Sequence, residues 1–234
     1  MDIPPPPSEP IYFTLPLGRD TTPSGEPRSP SETTSKTTGV APIEIEGPAW
    51  VDLARHHPDA RATLQSLGVT EEIVLDALLM EETRPRAWSE GDALVAFLRG
   101  VNLNPDANPE DMVVIRVWMT RERIITLRAL RVMAVDGTAE RVRSGQRELA
   151  PGPAGATGAV LIDLARGLTE RLEQTLEEIE TRMLAAEEGL QEGERPQLAT
   201  LRRKIVMIRR YVTPQRDVLA QLHSARFHRR RTTD

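Results

Sequence analysis

Three short segments in the first half of the chain have the apolar pattern of β-strands. These segments are residues 93–98, 112–119 and 123–127, and alternation is clearest in the second of them. A period of two places the apolar side chains on one face, which is typical of a β-strand in a half-buried sheet. The loop between the first two segments is rich in Asn, Pro and Asp, which favours antiparallel pairing. Residues 42–53 predict a further strand at a sheet edge, because a proline interrupts their alternation.

A helical period replaces this alternation in three other short segments. Residues 58–66 and 70–82 predict two helices that are separated by a stop signal at Gly68. Thr70 is the predicted N-cap of the second helix, and the two glutamates after it suit the first turn. A third short helix is predicted for residues 132–143. These helices would cover the sheet that the strands form.

The second half of the chain has the pattern of two long helices. The apolar stripe of the first helix, which begins near Ala159, consists of Leu161, Leu164, Leu168, Leu172, Leu176, Ile179, Met183 and Leu190. The second helix repeats apolar residues at heptad spacing, at Leu198, Leu201, Ile205, Ile208, Val212, Leu219 and Leu222. Pro214 lies inside this seam and predicts a local bend. We expect the two helices to pack as an antiparallel pair.

The two long helices carry opposite charges. From Glu170 to Glu194 there are nine acidic residues and two arginines, whereas from Arg202 to Arg231 there are ten basic residues and one aspartate. Side-by-side packing would place opposite charges against each other, with about 0.2–1 kcal/mol for each exposed pair. The alternative is that the charge runs are solvated faces.

Residues 1–40 are dominated by proline, serine and threonine and predict a flexible tail. Such a segment buries too little apolar surface to offset the entropy of ordering it. A proline-rich docking site is the alternative for this segment. We therefore predict three parts, which are this disordered tail, an α/β domain at 41–150 and a long-helix hairpin or stalk at 151–234. The fold class is α+β, with a small mixed, largely antiparallel sheet.

The composition restricts the classes of function. The chain has no cysteine, which excludes disulfides, thiolate metal sites and cysteine nucleophiles. No segment approaches the roughly 18 apolar residues that a membrane-spanning helix needs. The N-terminus also lacks the basic and apolar regions of a signal peptide. We expect the chain as given to be soluble and intracellular.

No catalytic motif is present in the sequence. There is no GxSxG and no GxxxxGK[ST], and the glycine-rich run at 151–158 lacks the lysine of a phosphate-binding loop, so it predicts a linker. We expect no enzyme activity, no catalytic residue and no catalytic cofactor. The basic second helix could contact nucleic-acid phosphates. Its leucine and isoleucine seam and the lack of a reading motif argue against a nucleic-acid partner.

Histidines are one set of metal-binding candidates, although the sequence assigns no metal site. His56 and His57 are adjacent and precede Asp59, but adjacent side chains on a helix do not converge on one ion. His223 and His228 lie five residues apart beside arginines that repel a cation, so a site there would be shared between chains. Neither pair has the ligand spacing of a structural zinc site.

Glutamates of the acidic helix are the other set of candidates. They are Glu173, Glu177, Glu178, Glu180, Glu187 and Glu188. Carboxylate oxygens suit magnesium or calcium, and a ring of them in an oligomer would attract cations through its field. The alternative is a solvated face that the basic helix neutralises.

Four segments resemble, in sequence order, the ZntB-type zinc transporters of the CorA superfamily. Residues 99–118, RGVNLNPDANPEDMVVIRVW, resemble the soluble domain of that family. Residues 50–53 resemble its first strand, residues 123–132 a later strand and turn, and residues 209–216 a part of the long stalk helix. The resemblance covers residues 45–222.

The resemblance implies an α/β/α layered cytoplasmic domain followed by long helices, the last of which runs into the first membrane span. It implies a homopentamer that forms a funnel at the cytoplasmic face of the inner membrane. The expected function is the oligomer-forming, metal-responsive domain of a divalent metal ion transporter. Zinc is the expected ion, with magnesium, cobalt and nickel as alternatives. The alternative function is a soluble protein-interaction module with no role in transport.

Transport in this family depends on two C-terminal membrane helices and a Gly-x-Asn motif after the first. Gly100, Val101 and Asn102 have this spacing, but they follow a short segment that ends in a charged residue. We therefore do not interpret them as the pore motif. The membrane part is expected to be missing from this chain.

Overall fold

The computed structural model describes residues 7–17, 43, 45–81, 83–145, 155–188 and 195–224, and the structural statements below concern these residues. Most of the predicted tail at 1–40 lies outside them, so the alternative of a proline-rich docking site in this segment stays a prediction. The predicted linker lies outside them as far as residue 154, and so does the end of the chain from residue 225.

One six-stranded sheet forms the centre of the fold. Its strands are β1 Ile11–Pro16, β2 Ala49–Ala54, β3 Arg86–Glu90, β4 Ala93–Gly100, β5 Val113–Met119 and β6 Arg123–Arg128. Across the sheet their order is β1-β2-β6-β5-β4-β3. β2 and β6 run parallel, and the other neighbouring strands pair antiparallel. The predicted mixed, largely antiparallel sheet is confirmed, and so are the three predicted strands.

Helices cover both faces of this sheet. They are α1 Ala60–Ser66, α2 Glu72–Leu79, α3 Met133–Arg143, α4 Gly155–Glu188 and α5 Arg195–Ser224. α1 and α2 pack on one face, in a core that includes Leu64, Leu75 and Phe97. α3 and parts of α4 and α5 pack on the other face, where Trp50 and Leu164 are completely buried. The result is the α/β/α layering that the resemblance implies.

The prediction of a flexible tail is wrong for Ile11–Pro16, which form β1 at the edge of the sheet. Apolar residues alternate here, and Phe13 packs edge-on against Trp50 with ring centroids 5.0 Å apart. Leu15 contacts the same core. The strand forms because its apolar side chains cover the core beneath β2. β2, which was predicted as an edge strand, is therefore an inner strand.

Two local predictions also differ from the structure. α4 begins earlier than predicted, because the Thr157 hydroxyl donates to the Thr120 carbonyl at 2.8 Å and fixes this turn beside the sheet. The N-cap of α2 is Glu71 rather than Thr70. α5 continues through Pro214 as one helix, and the bend at this residue stays a prediction. β3 was not predicted from the sequence, and it completes the sheet by pairing with β4.

α4 and α5 form the predicted antiparallel pair, called here the hairpin. Leu172 and Ile179 of α4 share a core with Leu201 and Ile208 of α5. Arg182, near the end of α4, lies beside Leu201, near the start of α5, which fixes the antiparallel direction. The predicted apolar stripes are confirmed over the described part of both helices.

Opposite charges on the two helices do not pair as predicted. In the part of the hairpin that the structure describes, no ion pair joins a glutamate of α4 to a basic residue of α5. Lys204 instead pairs with Glu110 of the β4–β5 loop, with Nζ and Oε2 3.1 Å apart. The apolar seam brings the helices together, and the remaining charged side chains lie on exposed faces.

Candidate functional site at the junction of sheet and hairpin

The histidine candidates that follow β2 are not brought into a metal-binding cluster. The backbone N–H of Asp59 donates to Nδ1 of His57 at 3.1 Å. Both ring nitrogens of His56 are buried and accept or donate no hydrogen bond within the described residues. These residues also contain no group of three or more His, Asp or Glu that could hold a metal ion. The side chains of His223 and His228 lie outside the described part of the structure, so a metal site at this pair stays a prediction.

The glutamate candidates of α4 lie on exposed parts of the helix. The members with described side chains are Glu173, Glu177, Glu178, Glu180 and Glu187. Within one chain they present an acidic surface and not a closed set of ligands. The side chain of Glu188 lies outside the described residues. A ring of these glutamates in an oligomer therefore stays a prediction.

Gly100, Val101 and Asn102 form a packed corner at the end of β4. A Cβ on Gly100 would lie 2.7 Å from Cδ2 of Leu168, so the absence of a side chain lets α4 approach the strand. Val101 is buried in the hairpin core. Oδ1 of Asn102 accepts hydrogen bonds from the N–H and from Nδ2 of Asn104, at 3.2 and 2.7 Å. The motif is explained by packing, which agrees with our interpretation that it is not the pore signature.

A pair of hydrogen bonds joins Gln215 of α5 to the backbone of β4. The N–H of Arg99 donates to Oε1 of Gln215 at 2.6 Å, and Nε2 of Gln215 donates to the Arg99 carbonyl at 2.9 Å. β3 pairs with β4 only as far as Phe97, so the backbone of Arg99 lies beyond the end of its partner strand. Buried backbone groups need such partners. Gln215 is only 5% exposed and supplies them, so α5 continues the hydrogen bonding of the sheet.

The side chain of Arg99 ties three further segments to the same point. Nη1 donates to the Met112 carbonyl at 3.0 Å, and Nη2 donates to the Thr83 carbonyl at 2.7 Å. The guanidinium carbon lies 4.1 Å from the centroid of the Tyr211 ring, which is a cation–π contact. Arg99 therefore links β4, the segments before β5 and β3, and α5. We call this set of contacts the junction.

A buried arginine supports the junction from the side of α2. Arg116 is 1% exposed, and its Nη2 donates to the carbonyls of Met80 and Glu81 at 2.5 and 3.1 Å. Arg55 donates to the Leu79 carbonyl at 3.1 Å in the same way. Burial, and then the charges of three nearby arginines, lower the pKa of Arg116 to about 9. The partly negative C-terminal end of α2 stabilises these two cations.

A second buried polar network holds the parallel strands and α3 together. Asp52 accepts hydrogen bonds from the Thr126 hydroxyl at 2.5 Å and from Nε of Arg128 at 2.8 Å. Nε1 of Trp50 donates to the Thr126 hydroxyl at 3.0 Å, and Arg128 also pairs with Asp136 of α3 at 3.3 Å. Complete burial raises the pKa of Asp52 to about 6, and the Arg128 charge opposes this rise. The network is satisfied within the protein and serves the fold.

The junction was not predicted from the sequence. Arg99 and Gln215 both lie in segments that carry the family resemblance, but they are 116 residues apart and no periodicity connects them. One signal was present. Gln215 occupies the heptad position that follows Leu201 and Ile208 and precedes Leu222, so it is a polar residue in an apolar seam.

Comparison with known proteins places the chain in a family. The model of the CorA-like Mg²⁺ transporter protein family matches residues 46–234. The zinc transport protein ZntB of Yersinia enterocolitica is 35% identical over 195 residues, which cover 81% of this chain and 58% of that protein. The divalent cation transporter CmaX of Pseudomonas aeruginosa is 40% identical over 179 residues, which cover 74% of this chain and 52% of that protein.

A solved structure has the same fold. The crystal structure of the ZntB cytoplasmic domain from Vibrio parahaemolyticus superposes with a TM-score of 0.71 at 22% identity, over 93% of this chain and 82% of that one. The present chain spans just over half the length of the ZntB and CmaX relatives above. In its described part, no helix combines the length and the apolar character needed to cross a membrane. The chain belongs to the CorA-like Mg²⁺ transporter protein family, and it is similar to the ZntB members of that family.

Proposed function

We propose that this chain is the cytoplasmic, oligomer-forming domain of a divalent metal ion transporter of the inner membrane. The family match and the relatives that are named as zinc and divalent cation transporters support this proposal. Zinc is the proposed ion, with magnesium, cobalt and nickel as alternatives. The ion is cargo or regulator, and the chain performs no catalytic step. The proposed assembly is a homopentamer, which reaches the membrane through parts of the relatives that this chain does not span.

The observation that carries the proposal is the double hydrogen bond between Gln215 and Arg99. It makes α5 a rigid continuation of the sheet, so a displacement of the α/β layers moves the helix instead of being absorbed by a flexible connection. α5 begins at Arg195. Because an α-helix rises about 1.5 Å per residue, this end of α5 lies about 30 Å from Gln215. A tilt of about 3° at the junction would move that end by about 1.5 Å, which lies within the usual 1–2 Å range of helix shifts.

A chimeric transporter tests this function. This chain replaces the matching part of Pseudomonas aeruginosa CmaX, and the chimera is reconstituted in vesicles that contain a zinc-sensitive dye. We expect metal uptake by the chimera. We expect uptake to be slower by about fivefold or more with Gln215→Leu, the lower end of usual coupling energies. Gln174→Leu, the same change at an exposed position of α4, serves as the control and should leave uptake unchanged.

A folded, membrane-inserted chimera that takes up none of zinc, magnesium, cobalt or nickel would contradict the proposal. In that case the protein-interaction module becomes the better explanation of the fold. A chimera that transports metal equally well with and without Gln215→Leu would keep the transporter assignment. That result would remove the junction from the mechanism.

A further inference from the structure

The outward faces of the hairpin carry two stripes of opposite charge. The acidic stripe of α4 consists of Glu170, Glu173, Glu177, Glu180, Leu184 and Glu187. The basic stripe of α5 consists of Ala199, Arg202, Val206, Arg209, Thr213 and Arg216. All twelve residues are exposed, and in both stripes the steps alternate between three and four residues. This is the spacing of a coiled-coil seam. Each helix therefore has a second seam, outside the apolar one that joins the two helices.

Charges in the two stripes recur with the same period. Glu173, Glu180 and Glu187 are seven residues apart, and the three arginines of the basic stripe are also seven residues apart. Seven residues of α-helix rise about 10.5 Å. Three glutamates and three arginines can therefore face each other along about 21 Å of helix, because successive charges are equally spaced on both helices. A solvated surface does not require such a match.

Neither stripe is neutralised by other side chains in the part of the chain that the structure describes. Among the described residues, the three glutamates and the first two arginines of these sets have no ion-pair partner, and Arg216 pairs only with the adjacent Asp217 at 3.1 Å. Each stripe also holds an apolar side chain that faces water. Leu184 is 56% exposed and Val206 is 67% exposed. A helix that packed along either stripe would bury this side chain between the paired charges.

The basic stripe borders a surface depression that is also positively charged. Arg84 and Arg210 line it together with Arg209, Val206 and Tyr211. Three guanidinium groups around a concave surface attract carboxylates, and the aromatic ring offers an apolar contact. An acidic helix with a leucine in its stripe matches both properties.

We infer that the basic stripe on α5 of one copy of this chain packs against the acidic stripe on α4 of another copy. The inference rests on the proposed oligomer-forming function and names the surfaces that would form the contact. A second copy is the occupant that matches in charge, period and length, because every copy carries both stripes. A nucleic acid would be repelled by the acidic stripe beside it.

Charge reversal in two separate chains tests this contact. The two full-length variants are Glu173→Lys/Glu180→Lys/Glu187→Lys and Arg202→Glu/Arg209→Glu/Arg216→Glu. In each variant the charges that recur every seven residues have the same sign on both helices, so its self-association should weaken by about tenfold to 100-fold relative to the unchanged chain in sedimentation velocity. An equimolar mixture should associate again, because the basic stripe created in the first variant meets the acidic stripe created in the second.

The mixing step separates contacts between chains from contacts within one hairpin. Pairing of the stripes inside a single hairpin would give no recovery in the mixture, and that result would overturn the inference. Glu178→Lys and Arg203→Glu are matched controls, because these exposed residues lie outside the stripes. Each control is compared with a single change inside a stripe, Glu180→Lys or Arg202→Glu. A control that weakens association as much as its counterpart in the stripe would also overturn the inference. Circular dichroism shows whether each variant keeps its helices.

The unchanged chain provides a test that needs no folded variant. Exposed charge pairs are screened by salt, so its association should fall about tenfold between about 0.05 and 0.5 M NaCl. A chain that stays monomeric at about 100 µM in low salt, or an association that salt does not weaken, would overturn the inference. Metal uptake by the chimera is a separate readout. Loss of transport together with recovered association would leave the contact in place and reject only the transport function.

Discussion

Replacing Gln215 with leucine removes the two hydrogen bonds that Gln215 makes at the junction while nearly keeping the size of the side chain. The N–H and carbonyl of Arg99 then lose their partners at the point where β3 has ended. Each hydrogen bond contributes about 0.5–1.5 kcal/mol net, and each buried group left without a partner costs about 1–3 kcal/mol. Arg99 is only partly buried, so water replaces some of the lost bonding. We expect the free energy of unfolding to fall by about 2–4 kcal/mol.

Urea unfolding followed by circular dichroism measures this loss. Gln174→Leu on the exposed face of α4 is the control, and it should change the free energy by less than about 0.5 kcal/mol. Gln215→Glu separates the two bonds, because a carboxylate accepts from the Arg99 N–H but cannot donate to its carbonyl. This variant should lose less stability than Gln215→Leu. A loss for Gln215→Leu no larger than that of the control would refute the reasoning, since it would mean that Gln215 does not complete the sheet.

Three further predictions concern the core, the buried acid and a surface pair. Gly100→Ala should lower the free energy of unfolding in urea by about 1–3 kcal/mol, because its Cβ would meet Leu168. Adding Leu168→Ala should restore part of this loss, and a double variant that regains no stability would contradict the explanation. Burial raises the pKa of Asp52 in the folded state to about 6, against 3.8 for an ordinary aspartate, so the folded state keeps this proton up to about pH 6. The stability of the unchanged chain relative to Asp52→Asn should therefore fall between about pH 4 and 6, by on the order of 3 kcal/mol, and a constant difference would exclude the raised pKa. A double-mutant cycle of Lys204→Met and Glu110→Gln should give a coupling of about 0.5–1 kcal/mol, and additive losses would show that their ion pair contributes nothing.

The predictable part of the fold is the part with strong local periodicity. β4 is a nearly continuous apolar run, and β5, β6 and the two long helices have apolar residues in the pattern of their own element, so each was recognised without knowledge of its neighbours. β1 was missed although its apolar residues alternate, because of its proline-rich surroundings, and β3 was missed because it is mostly polar. Ile11–Pro16 stand among prolines, and Arg86–Glu90 have charged or polar residues at three of five positions. Their strand conformation follows from pairing with β2 and β4, which a local pattern does not show.

The candidate site was less predictable than the fold because its contacts are distant in sequence. The polar Gln215 in the heptad seam was visible, but its partner is the backbone of Arg99, and a backbone group has no residue-specific signal. Pairing of the charged helix faces was predicted on the assumption that opposite charges on adjacent helices meet. The structure shows that the apolar seam sets how the helices pack, and that the glutamates and arginines stay exposed.

The two kinds of contact on α5 differ in how they respond to the solution. Gln215 uses a neutral amide and the backbone of Arg99, so this pair of hydrogen bonds does not depend on the protonation of a side chain and is little affected by salt. The basic stripe uses exposed guanidinium groups, whose pairing is weakened by salt and by any cation that competes for the glutamates. A domain built this way keeps a fixed internal connection between sheet and helix, while its contacts with other copies respond to ions. If both inferences hold, a rise in divalent cation concentration should loosen the association of copies before it affects the free energy of unfolding of a single chain.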